Sequence, residues 1–221
     1  MDLGSGLDGA RLGAPSAVEF TRTKDDVERF QRGDASAFDA IWRRYQPALE
    51  VVFAARIRPR LARELRARID AADVLQDAAL KVHEKLRSFE YRGPGSVLAW
   101  MTEIVLRAAS DKIDYWRAEI RDPRREAREA KEDDPKPLAS VRDPARGPMT
   151  EANLADARRS IGEALAKLPE RHQTMVIWKF FGGVTWAEIA VEIGGASEAA
   201  LHMEFRGKVL PQLAAILSGR A

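Results

Sequence analysis

Residues 185–210 of the chain read TWAEIAVEIGGASEAALHMEFRGKVL and carry the clearest pattern of helices and turns in the sequence. Thr185 and Glu188 stand three residues apart, the spacing at which each side chain caps the backbone N–H of the other. We therefore expect a helix to begin at Trp186. The glycine pair 194–195 supplies the positive φ that ends such a helix, so a tight turn is predicted to follow it.

Two further helices flank this turn in the predicted arrangement. Ser197 can cap the helix after the turn, and residues 171–181 are predicted to form a helix that ends at the glycine pair 182–183. Three short helices around one apolar cluster form a helix-turn-helix, whose last helix enters the major groove of DNA. That last helix is predicted to bury a stripe of residues at spacings of four: Leu201, Phe205, Val209 and Leu213.

The opposite face of the last helix carries side chains that suit DNA. An arginine can form two hydrogen bonds with guanine, a glutamate can accept one from cytosine, and a histidine can contact either phosphate or base. The same charges are also typical of a helix that is merely solvated, and this alternative stays open at this point. The candidate DNA contacts in this part of the chain are Thr185, Ser197, Glu198, His202, Arg206 and Lys208.

Helical periodicity extends over most of the remaining chain. No run of alternating apolar and polar residues indicates a strand, so the predicted fold class is all-α, with two helical domains. Prolines and dense mixed charge separate the two periodic regions, which is typical of a linker, and glycines dominate the N-terminal residues. The sequence thus predicts a flexible tail at 1–23, a helical domain at 24–120, a flexible linker at 121–150 and a helix-turn-helix domain at 151–221.

Composition limits the classes of function. The chain has 221 residues with 36 Lys and Arg against 34 Asp and Glu, so its own charge predicts only a weak hold on DNA phosphates. A partner is therefore expected to keep it there. The absence of cysteine excludes disulfides and thiolate metal sites. No apolar run approaches the roughly 20 residues that span a bilayer, and no signal peptide is recognisable, so we expect a cytoplasmic protein without membrane insertion.

A helix predicted at about residues 71–88 carries two different stripes. One is an ordinary buried face, formed by Leu75, Ala79, Val82 and Leu86. The other is acidic with a leucine at its centre, and a solvated face rarely needs a leucine there. A protein partner is the better explanation, with a second packing contact inside the domain as the alternative. This second stripe contains Asp73, Gln76, Asp77, Leu80 and Glu84.

The run DAADVLQD at residues 70–77 resembles the segment of bacterial sigma factors that binds core RNA polymerase. Several other motifs follow it in order: AWM at 99–101, a helix at 104–118, a proline-rich linker, LPER at 168–171 and WAEIA at 186–190. Together they resemble an extracytoplasmic-function sigma factor, the minimal kind that keeps only the second and fourth conserved regions. The resemblance extends from about residue 25 to residue 217.

The resemblance implies a transcription initiation factor with core RNA polymerase and promoter DNA as its partners. The first domain would bind the clamp helices of polymerase and open the minus-ten element, while the helix-turn-helix would read the minus-thirty-five element. The implied polymerase-binding residues are Asp73, Leu75, Gln76, Asp77, Leu80 and Glu84. Whether the linker enters the polymerase and whether an anti-sigma factor also binds the chain both stay open.

The helix predicted at residues 97–120 would face the melted promoter with its outward stripe. In such factors this stripe meets DNA, and Tyr115 beside it can stack on an unpaired base. Trp116 continues the buried stripe, so core packing and base stacking are both open for it. The implied DNA contacts on this helix are Arg107, Ser110, Asp114, Tyr115, Arg117 and Arg121, and Glu103 lies on the same stripe.

The sequence departs from the family pattern along this helix. Many members carry Asn, then Asp four residues later, then a basic residue, whereas this chain has Arg107, Asp111 and Asp114. A different promoter sequence is therefore expected. The runs 104–107, 115–118 and 121–126 resemble a divergent branch that is common in planctomycete-like genomes.

A stand-alone regulator and a metal-dependent enzyme are the two alternatives to a transcription initiation factor. A stand-alone helix-turn-helix regulator would have to bind DNA unaided, which the weak net charge disfavours. A metal-dependent enzyme could use Asp73 and Asp77 with His83 or Glu84. However, the histidines lie in separate segments without ligand spacing, and neither a phosphate-binding glycine loop nor a pair of nucleophile and base is visible. We therefore expect a protein that is not an enzyme, with no cofactor, no metal and no small-molecule substrate.

Overall fold

The computed structural model describes residues 22–121 and 150–218, which we call the N-terminal half and the C-terminal half. Both described ranges are helical and contain no strand, so the all-α prediction is confirmed. Residues 1–21 of the predicted tail and 122–149 of the predicted linker lie outside the described residues, and the proposed domain boundaries stay predictions.

The N-terminal half consists of helices that pack against one another. Its helices are α1 (Thr23–Gln31), α2 (Ser36–Val52), α3 (Arg63–Arg66), α4 (Ala71–Leu86) and α5 (Pro94–Arg121). Helix α2 continues into a π turn at Phe53–Ile57 and a 3-10 turn at Arg58–Arg60. Arg44 of α2 donates a 2.6 Å hydrogen bond to Asp26 of α1, and both side chains are buried. Because a buried charge needs a partner, this pair fixes how α1 lies on α2.

The C-terminal half begins with α6 (Glu151–Leu165), which precedes the predicted helix-turn-helix. The other helices are α7 (Glu170–Val176), which continues as a π turn at Ile177–Phe181, α8 (Trp186–Ile193), α9 (Glu198–Glu204), a π turn at Phe205–Val209, and α10 (Leu210–Leu217). The stripe predicted for the last helix, Leu201, Phe205, Val209 and Leu213, is buried as expected. This stripe runs from α9 through the π turn into α10.

The two halves share one apolar core. Helix α6 lies on α2 and on the π turn at 53–57, and the π turn at 177–181 also lies against α2. Helix α8 lies beside the first turn of α5, where Glu192 approaches Gly95. Nothing in the sequence pattern predicted the contact between the two halves, because its partners lie far apart in the sequence, by 108 residues for the hydrogen bond from Arg158 to Glu50.

Candidate nucleic-acid interface

The predicted capping box stands at the start of α8. The Thr185 hydroxyl accepts a hydrogen bond from the backbone N–H of Glu188 at 3.2 Å, and the Glu188 carboxylate accepts one from the backbone N–H of Thr185 at 2.9 Å. The hydroxyl also donates to that carboxylate at 2.7 Å. Gly194 ends the helix with a φ of 73°, as predicted. Thr185 is exposed, but its hydroxyl is already engaged in the cap.

Helix α9 presents the predicted recognition face to solvent. Ser197 caps the helix by accepting a hydrogen bond from the N–H of Ala200 at 3.2 Å. The ring of Trp186, the first residue of α8, packs edge-on against His202 at 5.8 Å between ring centroids. This contact joins the two helices of the motif. The predicted DNA contacts Ser197, Glu198 and His202 are exposed at the start of α9 and on it, and Arg206 and Lys208 are exposed in the π turn that follows.

A polar brace holds the recognition helix to α7. The carboxylate of Glu204 lies 3.3 Å from Arg171 and 3.2 Å from His172. Burial alone would raise the pKa of Glu204, but the hydrogen bonds from Arg171 and His172 outweigh it and hold the pKa below its usual value. The ionised carboxylate therefore stabilises the motif in the neutral pH range.

Helix α5 presents the outward stripe that the sequence predicted. Tyr115 is 61 % exposed and touches the edge of the Trp116 ring. Trp116 is half-buried, and the guanidinium of Arg68 lies 5.0 Å from its ring centroid. Tyr115 is therefore better placed than Trp116 to receive a base. The exposed members of the predicted stripe are Glu103, Arg107, Ser110, Asp114 and Arg117, while the side chain of Arg121 lies outside the described residues.

Helix α4 carries the acidic stripe, which we call the acidic ridge: Asp73, Gln76, Asp77, Leu80 and Glu84. Asp70 caps the helix by accepting a hydrogen bond from the N–H of Asp73 at 2.8 Å. Leu80 is 63 % exposed, and it is one of the large apolar side chains that the described residues leave at the surface. Lys112 of α5 donates to Asp77 at 2.9 Å, which ties one flank of the ridge to α5.

Comparison with known proteins decides the family. The chain is 31% identical over 166 residues to the ECF RNA polymerase sigma factor SigM of Mycobacterium tuberculosis, found in two strains, and the match covers 74% of this chain and 69% of that protein. The chain belongs to the ECF RNA polymerase sigma factors. It is therefore a transcription initiation factor, and the stand-alone regulator is not favoured.

A second relative supports the same family assignment. The ECF RNA polymerase sigma-E factor of Haemophilus influenzae is 26% identical over 164 residues, which cover 74% of this chain and 79% of that protein. No protein-family model matches the chain. No solved structure matches it either.

The acidic residues considered for a metal site do not converge in the sigma factor. Asp77 is paired with Lys112, and His83 lies edge-on to Phe30 and Phe38. Within residues 22–121 and 150–218, no three His, Asp or Glu side chains are grouped as metal ligands. Among the helices of the same ranges, none has the length and apolar character needed to cross a membrane.

Leu75, one of the residues assigned to polymerase, does not lie on the surface. It is only 5 % exposed and belongs to the core, in agreement with its place in the predicted buried face.

The structure adds surface residues that the sequence did not single out. Beside the ridge, Phe38 and Trp42 of α2 are stacked 6.1 Å apart and are only partly buried. The spacing of four residues places both rings on one face of α2. Only the contact of Phe38 with His83 of α4 shows that this face lies beside the ridge.

Proposed function

We propose that the acidic ridge of α4 is the surface through which this sigma factor binds core RNA polymerase. The observation that carries the proposal is Leu80, an exposed leucine on a capped helix. It lines an open cleft whose polar rim contains carboxylates and two lysines: Asp77, Glu84, Asp111, Lys81 and Lys112. An apolar centre with a polar rim is the usual anatomy of a protein interface. The charges on the rim would select a basic surface and orient it, while the leucine would supply apolar contact.

Helix α9 would read the minus-thirty-five element from the major groove. Glu198 of α9 offers an acceptor, and Arg206 and Lys208 in the π turn that continues this helix offer cations for guanine or phosphate. Glu198 near the first turn repels phosphate, so contacts from this helix alone are expected to be weak. Polymerase would supply the missing affinity, which agrees with the nearly balanced charge of the chain.

Helix α5 would hold the melted minus-ten element. Tyr115 offers an exposed ring, and Arg107 and Arg117 on the same helix offer cations for the strand that leaves the duplex. Stacking on an aromatic side chain stabilises an unpaired base by about 1–3 kcal/mol. In this proposal the sigma factor works in the cytoplasm and acts by binding alone, without chemistry of its own.

Run-off transcription with core polymerase on a library of genomic promoter fragments tests this proposal. The double variant Asp73→Arg/Leu80→Glu is expected to lose its transcripts while its far-UV circular dichroism stays like that of the wild type. The matched control Asp25→Arg/Leu217→Glu makes the same two changes at exposed positions outside the ridge, and it should transcribe normally. Wild-type transcript levels from the ridge variant would contradict the proposal.

A further inference from the structure

The positive charge of the chain is concentrated in one short segment. Residues 56–68 contain six arginines and a single glutamate, so this segment has a surplus of five positive charges. The whole chain has a surplus of only two, and the other residues together therefore carry three more acidic than basic side chains. A cluster of one sign creates a local field that the net charge of a chain does not reveal.

The backbone of this segment is held on the fold while several of its arginines remain outside. Leu61, Leu65 and Ile69 are buried in the core. Arg66 donates hydrogen bonds to the carbonyl oxygens of Leu61 at 2.9 Å and Pro59 at 3.4 Å, which braces the turn between them. The exposed arginines are therefore presented from a fixed backbone. We call them the arginine strap: Arg60, Arg63 and Arg66.

Two arginines of the strap are available for an anionic partner. Within residues 22–121 and 150–218, Arg60 and Arg63 form neither a hydrogen bond nor an ion pair. Arg58, in contrast, lies 3.5 Å from Glu163, and Arg66 uses its guanidinium on the backbone. A free guanidinium can form two parallel hydrogen bonds with one phosphate group. The strap thus has the chemistry of a phosphate-binding surface.

The strap lies beside the helix that is proposed to hold the melted minus-ten element. The guanidinium of Arg68, two residues after the strap, lies 5.0 Å from the ring centroid of Trp116 in α5. Tyr115, which offers its ring to an unpaired base, precedes Trp116 on that helix. The strap therefore flanks the end of α5 at which a base would stack. Residues of both elements line one surface cleft there: Ala62, Glu64, Leu65, Asp114, Arg117 and Ile120.

Helix α5 has no net charge with which to attract a DNA strand. Its residues 94–121 contain four basic and four acidic side chains. Glu103 and Asp114 lie on the exposed stripe, where they would repel a phosphate backbone. Since every phosphate of the strand carries a negative charge, binding it requires cations close to the helix. The strap provides such cations at the side of α5.

We propose that the arginine strap, with Arg60 and Arg63 at its centre, binds the phosphate backbone of promoter DNA beside the minus-ten element. This inference rests on the proposed function, in which α5 holds the melted strand. Phosphate contacts carry no base information, so the strap would add affinity and fix the position of the strand while α5 contacts the bases. Roughly two or three such contacts are too few to hold DNA without polymerase.

The salt dependence of promoter binding tests the strap, because it counts phosphate contacts. Each contact contributes about 0.9 to the slope of log Kd against log salt on duplex DNA and about 0.7 on a single strand. In the complex with core polymerase, Arg60→Gln/Arg63→Gln should therefore lower this slope by roughly 1.4–1.8. The loss of affinity should be equal on promoters that differ in their minus-ten bases. The matched control Arg32→Gln/Arg43→Gln removes two exposed arginines outside the segment and should keep the wild-type slope.

A cleavage probe locates the strap on the DNA. The chain contains no cysteine, so Arg63→Cys provides a single attachment point for an iron–EDTA reagent. In the polymerase complex, this labelled protein should cut promoter DNA at the minus-ten element or at its immediate edge. The same reagent on Arg32→Cys, at the end of α1, should not cut there.

Two controls separate DNA binding from other roles of the strap. Far-UV circular dichroism of every variant verifies that the helices remain. Titration with core polymerase alone should give Arg60→Gln/Arg63→Gln the Kd of the wild type. A rise in this Kd as large as the loss of promoter affinity would give the strap a protein partner and overturn the proposal.

Three further results would overturn it. The first is an unchanged salt slope in the strap variant, the second is an equal fall in the slope of the control, and the third is the absence of cleavage near the minus-ten element. If instead the wild-type chain does not bind core polymerase at all, the proposed function fails. The salt slopes of the free chain and its strap variant on a single-stranded oligonucleotide would still show whether the strap contacts phosphates.

Discussion

Truncation of Leu80 to alanine removes the apolar centre of the acidic ridge. Full burial of a leucine side chain contributes about 1.5–3 kcal/mol. Leu80 is 63 % exposed in the free chain, so covering it by polymerase would contribute roughly 1–2 kcal/mol at ~1.5–3 kcal/mol per leucine. Leu80→Ala is therefore expected to raise the Kd for core polymerase about 5- to 30-fold, at ~1.4 kcal/mol per factor of ten. Alanine is the best helix former, so α4 should remain intact.

Fluorescence anisotropy of singly labelled protein titrated with core polymerase measures this Kd. Leu217→Ala is the matched control, because Leu217 is 56 % exposed at the end of α10 and undergoes the same truncation. It should leave the Kd unchanged. A Leu80→Ala variant that binds within twofold of wild type, or that loses no more affinity than Leu217→Ala, would refute the burial of Leu80 by polymerase.

Three further predictions concern stability, pH and promoter opening. Glu204→Gln should flatten the fall in melting temperature as the pH drops below 4.5, the usual pKa of this carboxyl, since its folded pKa is lower and its stabilising effect, present above 4.5, is lost as the pH falls through the folded pKa. An unchanged pH profile would contradict this reading of the brace to Arg171 and His172. Thr185→Ala should cost about 1 kcal/mol through loss of the α8 cap, or about 2–4 °C in melting temperature by calorimetry, whereas Thr185→Ser should cost much less. Tyr115→Ala should reduce the permanganate reactivity of the minus-ten region in the polymerase complex, corresponding to about 1–3 kcal/mol of lost stacking, and Tyr115→Phe should retain it; equal reactivity in both would exclude stacking.

Local patterns in the sequence predicted the elements and their faces. The capping box of Thr185 and Glu188 involves groups three residues apart, and Gly194 ends the helix through its own backbone freedom. Both signals are complete within a few residues. The exposed Leu80 was predicted in the same way, because a single helix places it among carboxylates.

Pairings between distant segments could not be predicted from such patterns. Asp77 was expected on an open acidic stripe, but Lys112 of the neighbouring helix neutralises part of it. The sequence left both core packing and base stacking open for Trp116, because it does not show that the guanidinium of Arg68 lies beside the ring. The packing of Gly162 in α6 could not be predicted either, because the sequence does not show that the backbone of Val51 and Ala54 lies against this glycine.

The proposed function requires that the unmodified chain bind core RNA polymerase and depend on it for promoter binding. Purified sigma factor should elute with core RNA polymerase in a one-to-one complex on size exclusion, and only this complex should protect promoter DNA at moderate salt. Failure to elute with the core enzyme at any ionic strength, together with tight promoter binding by the chain alone, would contradict it.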